Sequence, residues 1–303
     1  MKWIESFLRY VRYEKNYSSH TVLSYKHDLS QFENYLSQLE GGVAPEVAER
    51  DHVRDWAASL MEEGVSTRTV ARKFSALRTF YRYLQKQGVV AESPMRDIVP
   101  PKIHKSLPSF VRPAEMDLLL DEKVSDDDFP ALRDHLILSI LYMTGMRRAE
   151  LVGLLDADVD TRAMQFKVLG KRNKQRLVPF GREMKAEIDT YRAARKRFVG
   201  EESPSFLVRD DGEPLYPQYV YRLVNRRLSE VTTLSRRSPH VLRHSFASAL
   251  LNDGAELNSV KELLGHQSLA STQVYTHITF EELKRDYKQA HPRAIKKGGH
   301  YGS

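Results

Sequence analysis

The sequence predicts a mainly α-helical protein of two units, the second of them mixed α/β through a small β-hairpin. Apolar residues recur every three or four positions through the first ninety residues and again from Arg112 onward, as helices packed on a core require. Between these stretches Pro94, Pro100, Pro101 and Pro108 interrupt the pattern. Farther on, "MQFKVLG" and "RLVPF" place strand-forming residues on either side of the turn "KRNKQ". A length of 303 residues fits two domains, each with its own core.

The first unit, residues 1–90, is expected to hold four helices. Ile4, Phe7, Leu8 and Val11 form one stripe, and Val22, Tyr25, Leu29, Phe32 and Leu36 a second. Ser18 or Ser19 caps the second helix and Gly41 and Gly42 end it, while a third helix around Val53, Trp56 and Leu60 stops at Gly64. Ser66 caps the fourth, whose apolar face (Val70, Phe74, Leu77, Phe80, Tyr81, Leu84) is backed by Arg68, Arg72, Lys73, Arg78, Arg82 and Lys86. Residues 64–91 contain no Asp or Glu. Solvated helix faces normally mix both signs, so this face favours phosphate contact. Residues 91–110 follow as an extended basic linker, with Lys102 and Lys105 among its cations.

The second unit, residues 111–303, opens with Pro113 at a helix start and an acidic stretch (Glu115, Asp117, Asp121, Glu122, Asp126, Asp127, Asp128) that should face away from any polyanion. After the hairpin, helical patterns resume at 183–198, 218–228, 240–251 and 257–264, and in a basic tail from Glu281.

Composition narrows the function classes. The balance of 47 Lys+Arg against 40 Asp+Glu gives a net charge of +7, which favours polyanionic partners such as nucleic acid. Cys is absent, so disulfides, thiolate metal sites and a Cys nucleophile are excluded. The longest apolar run, 135–143, is too short to span a bilayer, and Glu5, Arg9, Arg12 and Glu14 interrupt the N-terminus, so no membrane anchor or secretory signal is expected. A cytoplasmic protein follows as the expectation.

Four stretches of the second unit carry chemistry: "TGMRRAEL" (144–151), "LGKRNKQR" (169–176), "PHVLRHSFA" (239–247) and "LLGHQSLASTQVYTH" (263–277). Singly, each has an ordinary reading. Arg147 or Arg148 is a surface arginine at a helix start, Lys171 a solvated hairpin tip, and Tyr275 a packed ring with a bonded hydroxyl. His240 and His244, four apart on a helix, form a surface pair or half of a metal site, but no third ligand stands out and HExxH is missing.

Together the four stretches resemble the tyrosine site-specific recombinases, and within them the Xer-type enzymes. The resemblance covers almost the whole chain, with Arg, Lys, His-x-x-Arg, His and Tyr in the family's order across residues 147–275. It implies an N-terminal helical core-binding domain of SAM-like type, the linker, and a catalytic domain ending in a tail that docks on a neighbouring protomer. It implies catalytic roles for Arg147, Lys171, His240, Arg243, His266 and the nucleophile Tyr275, with Glu150 orienting an arginine or His240. Lys174 is a rival to Lys171, and Arg148 a rival to Arg147. The family's spacing from Gly145 and Glu150 favours Arg147, from which Arg148 would point about a hundred degrees away around a helix.

The chemistry explains the residue types. A phosphodiester in its transition state concentrates negative charge on the non-bridging oxygens, and two guanidiniums clamp them. Tyrosine, with a free pKa of about 10, needs cationic surroundings and a group to take its proton, for which His240 is the candidate. A lysine on the hairpin tip serves as general acid to the leaving 5′ oxygen, and His266 hydrogen-bonds the phosphate. The covalent 3′-phosphotyrosyl link stores the energy of the cut strand, so neither ATP nor a metal ion nor any other cofactor is expected. The resemblance further implies double-stranded DNA held between the two units, with Arg68, Arg72, Lys73, Arg78, Lys102, Lys105, Arg172 and Lys174 as contacts. It also implies a homo- or hetero-tetramer on two DNA sites passing through a Holliday junction, a paralogous recombinase and a DNA translocase as partners, and resolution of chromosome dimers at a dif-like site. A mobile-element integrase or DNA invertase of the same family is the alternative. The start of the first helix close to Met1 argues against an added arm-binding domain, and His240 argues against a type IB topoisomerase, which tends to carry lysine there.

Overall fold

The computed structural model describes residues 2–102, 109–170, 175–252 and 254–265. The chain divides into two compact units, Met1–Ser106 and Leu107–Ser303.

In the first unit α1 (Lys2–Arg9) runs into a π-helical turn (Tyr10–Glu14), followed by α2 (Ser19–Gln38), α3 (Arg50–Glu62) and α4 (Thr67–Lys86). Capping follows local chemistry. Ser18 Oγ accepts the Thr21 amide at the start of α2, and Ser66 Oγ accepts that of Thr69 at the start of α4, each at 3.3 Å. All six apolar residues expected on the inner face of α4 are buried, against Phe7 and Val11, Leu29, Phe32 and Leu36, and Val53 and Trp56. Trp56 and Phe32 meet at 4.9 Å between ring centroids, tilted as aromatic quadrupoles prefer.

Lys73, expected on the basic face, lies instead in this core, 3% exposed. It sits beside Phe74 at the edge of the apolar stripe and reaches across to α2. There its Nζ donates to the fully buried Asp28 at 3.1 Å and to Gln31, and lies 5.7 Å from the centroid of Trp56. A buried carboxylate requires such partners, and Asp28 takes a second in Arg72, whose guanidinium also reaches Ser24. Lys73 is therefore not free to meet phosphate. Arg68 is exposed, and Arg78 donates to Ile98 O at 2.6 Å. Met95 and Ile98 belong to this same core, so the first part of the stretch read as a linker is packed. Prolines excluded helix there without excluding burial. Lys102 is exposed, while Lys105 lies outside the described residues.

In the second unit α5 (Pro113–Leu120) leads to α6 (Phe129–Thr144), whose residues from Leu136 to Thr144 are all buried. A helix apolar on every side is a core helix, and α6 packs against α8 (Arg182–Phe198) and α10 (Pro239–Asn252). Much of the acidic stretch is absorbed locally: the Arg112 amide donates to Glu115, Asp128 caps α6, and Glu122 and Asp127 pair with Arg227 and Arg197. The short α7 (Arg148–Val152) precedes an antiparallel sheet in the order β1 (Val159–Asp160), β2 (Gln165–Leu169), β3 (Gln175–Pro179). Phe166 pairs with Val178, and Phe166, Val168 and Val178 face the core. The expected hairpin is thus β2 and β3, with β1 as an added edge; its tip, 171–174, lies outside the described residues. Two further helices, α9 (Pro217–Val231) and α11 (Leu257–Leu264), complete the described part of the unit.

Candidate active site

Arg147 is placed by the turn between α6 and α7. Gly145 ends α6 at φ 61°, where its amide bonds Leu141 O, and an added Cβ would fall 2.4 Å from the Phe246 ring. Only glycine combines that left-handed conformation with so close an approach. Arg147 then stands at the N-cap of α7 with extended backbone, φ −73° and ψ 148°. Arg148 is the first helical residue, so the two arginines are not neighbours on one helix and the hundred-degree argument does not apply. Both line the same cleft, Arg148 with its guanidinium 5.9 Å from the centroid of Tyr221.

Glu150 organises the cations behind this cleft. Its Oε2 accepts the Arg147 amide at 2.7 Å and Arg176 Nη2 at 2.8 Å; its Oε1 accepts Arg147 Nη1 at 2.8 Å and Arg176 Nη1 at 2.9 Å. All four acceptor positions of the carboxylate are filled. Burial by itself would raise its pKa, but the hydrogen bonds from the Arg176 side chain and the Arg147 backbone outweigh it and hold the carboxyl down to about 2. Glu150 thus holds Arg147 and Arg176 together, and among the described residues it makes no bond to His240.

Arg243, on α10, is buried. Its Nη1 donates to Gly145 O at 2.7 Å and its Nη2 to Leu264 O at 2.5 Å. Burial first, and the neighbouring Arg147 charge second, lower its pKa to about 10, which still leaves it cationic at neutral pH. The end of α11 is held by three arginines. Leu263 O accepts Arg176 Nε at 2.9 Å, Leu264 O accepts Arg243, and Gly265 O accepts Arg147 Nη2 at 3.0 Å. Carbonyls left without a helical partner at the negative end of a helix dipole are natural acceptors for guanidiniums.

The cleft, about 410 Å³, is lined by Arg147, Arg148, Arg236, Arg237 and Arg243, with His240 and no carboxylate among the described residues. Burial, then the charges of His244, Arg243, Arg148 and Arg147, lower the His240 pKa and favour the neutral imidazole, the form with a free lone pair. The arrangement can bind a phosphate and present a proton acceptor beside it. Lys171, Arg172, Lys174, His266 and Tyr275, together with the tail from Glu281, lie outside the described residues. Arg176, Arg236 and Arg237 were not singled out from the sequence. A signal existed for Arg176: in β3 it shares the inward-facing phase of Val178, and an arginine there implies an internal carboxylate partner.

The phage integrase family model matches residues 109–282, and that of the phage integrase N-terminal SAM-like domain matches residues 4–88. The chain belongs to the phage integrase family. This recombinase is 37% identical to the tyrosine recombinase XerC of Chlorobaculum tepidum, over 97% of its own length and 95% of that protein. With XerC of Bacillus subtilis it shares 36% identity over 97% of its own length and 98% of that protein. Solved structures agree in fold: XerH bound to its difH substrate, pre-cleavage complex, with a TM-score of 0.69 at 21% identity over 93% of each chain, and a λ integrase dimer bound to a COC′ core site, with 0.67 at 15% over 91% of this chain and 98% of that one. It is a Xer-type tyrosine recombinase, an enzyme that cuts and rejoins DNA in site-specific recombination.

Proposed function

We propose that this recombinase resolves chromosome dimers at a dif-like site, through a 3′-phosphotyrosyl intermediate on Tyr275 and a Holliday junction. The cleft with five arginines around His240, and no carboxylate among the described residues that line it, is the observation that carries the reading. In it Arg147 and Arg243 clamp the non-bridging oxygens of the scissile phosphate, and the neutral His240 takes the phenolic proton as Tyr275 attacks phosphorus. Lys171 protonates the leaving 5′ oxygen, and His266 adds a hydrogen bond to the phosphate. The helical unit, through Arg68, Arg72 and Arg78, and the linker, through Lys102 and Lys105, bind the duplex, with Arg172 and Lys174 at the hairpin tip. Lys73 is not among them, because it is buried as well as bonded to Asp28 and Gln31, whereas the side chain of Arg72 is 44% exposed.

Two DNA sites are brought together by a tetramer, with the basic tail docked on the next protomer, a paralogous recombinase in hetero-assemblies and a translocase as activator, in the cytoplasm. The XerC identities over nearly full length support the chromosomal role. Adducts trapped in host cells and mapped by sequencing are expected at one chromosomal locus. Adducts at the ends of a mobile element would replace this reading with that of an integrase.

A further inference from the structure

We propose that Arg176 is a positioning residue for strand cleavage: it completes a three-arginine clamp that locks Glu150 against Arg147 and fixes the end of α11, without itself contacting DNA. The inference rests on the recombinase reading above and assigns a residue that the family's motif, as carried onto this chain, leaves out.

Its three nitrogens all face protein acceptors: Nη1 and Nη2 the two oxygens of Glu150, and Nε the carbonyl of Leu263. The side chain is only 15% exposed, and Arg176 does not line the cleft. Arg147 and Arg243 line the cleft and are placed to clamp a phosphate, whereas Arg176 stands behind it. What it does is decide where they stand. Glu150 has two cations to bind, and without Arg176 its oxygens would be free to swing toward Arg147 alone, changing the angle at which that guanidinium enters the cleft. Leu263, Leu264 and Gly265 each give a carbonyl to a different arginine, so the end of α11 is tied to the same three side chains. Gly265 reinforces this: its φ is 62°, and an added Cβ would lie 3.2 Å from Arg176 Nη1 and 3.5 Å from Arg147 Nη1.

Another buried arginine sets the contrast. Arg195 also binds a carboxylate, Asp156, and the carbonyls of Ser203, Ser205 and Phe206, but none of those partners lines the cleft or bonds Arg147 or Arg243 among the hydrogen bonds and ion pairs described. Arg176 shares its carboxylate with Arg147, and the helix end it holds with Arg147 and Arg243. That sharing separates a positioning role from a purely structural one.

The test uses the full chain on a nicked duplex carrying the target site, comparing the unsubstituted protein with Arg176→Lys, which keeps the charge but not the bidentate fork, and with Arg176→Gln. Single-turnover adduct formation should fall about 10- to 100-fold in Arg176→Lys, with duplex affinity and Tm nearly unchanged. In Arg176→Gln the acid limb of the cleavage rate should move to higher pH, because Glu150 loses its strongest partner. Unchanged cleavage in both variants would overturn the inference and leave the recombinase reading intact. Equal losses of affinity, stability and rate would also overturn it, by showing Arg176 to be structural. Absence of an adduct with the unsubstituted chain would sink the recombinase reading itself, and this inference with it.

Discussion

Arg147→Ala is expected to slow single-turnover adduct formation by at least about 10²- to 10³-fold, the size of effect seen when one preorganised donor to a developing oxyanion is removed. Arg148→Ala is expected to act mainly on duplex affinity. The difference follows from how each side chain is held. Arg147 has its backbone amide and Nη1 on Glu150 and its Nη2 on Gly265 O, so its guanidinium is preset before DNA arrives. Arg148 has an aromatic neighbour, Tyr221, and among the described residues no carboxylate to fix its angle. Preorganisation is what converts charge into rate, since a donor that must reorient pays for that motion in the transition state. Rates on the nicked duplex together with binding titrations separate the two outcomes. If Arg148→Ala abolished cleavage and Arg147→Ala only weakened binding, the assignment between these adjacent arginines would be reversed.

Glu150→Gln is expected to destabilise the second unit by about 3–5 kcal/mol and to lower cleavage as well. An amide offers one acceptor oxygen and a pair of N–H donors where Glu150 offers two saturated oxygens, so donors from Arg147 or Arg176 would face donors. The pH dependence has a definite sign. The carboxyl is held down to about 2 from an ordinary 4.5, so its contribution is fully present above pH 4.5 and is lost as pH falls toward 2. That contribution is on the order of 3 kcal/mol, and the 5% exposure of the side chain leaves little room for solvent screening. Thermal melts of the unsubstituted chain should therefore lose stability across that acid window, and the Glu150→Gln variant should show a correspondingly flatter profile there. Equal acid sensitivity in the two proteins would show that Glu150 is not the group responsible.

The features legible in the sequence are those set by local chemistry. Ser18 and Ser66 cap helices through bonds three residues away, and the α4 stripe declares its buried face by spacing alone. Gly145, Arg147 and Glu150 stand within six residues, so their relation survives in the motif. What the sequence hides is long-range. Lys73 looked like one more cation on a basic face because Asp28 and Gln31 come from a different helix. Met95 and Ile98 follow a proline in a stretch without periodicity, so nothing local announces their burial. A strand of two residues, Val159–Asp160, is too short to show alternation at all. Arg176 is the instructive case: its inward phase in β3 was readable, but its partners Glu150 and Leu263 lie 26 and 87 positions away.

In the proposed chemistry Tyr275 attacks DNA with the help of the arginine cleft. Incubating the full chain with a nicked duplex carrying the target site should give a covalent protein–DNA adduct through the 3′ phosphate. The same experiment with Tyr275→Phe should give none, while that variant binds the duplex as tightly as before. An adduct that persists in Tyr275→Phe would contradict the account.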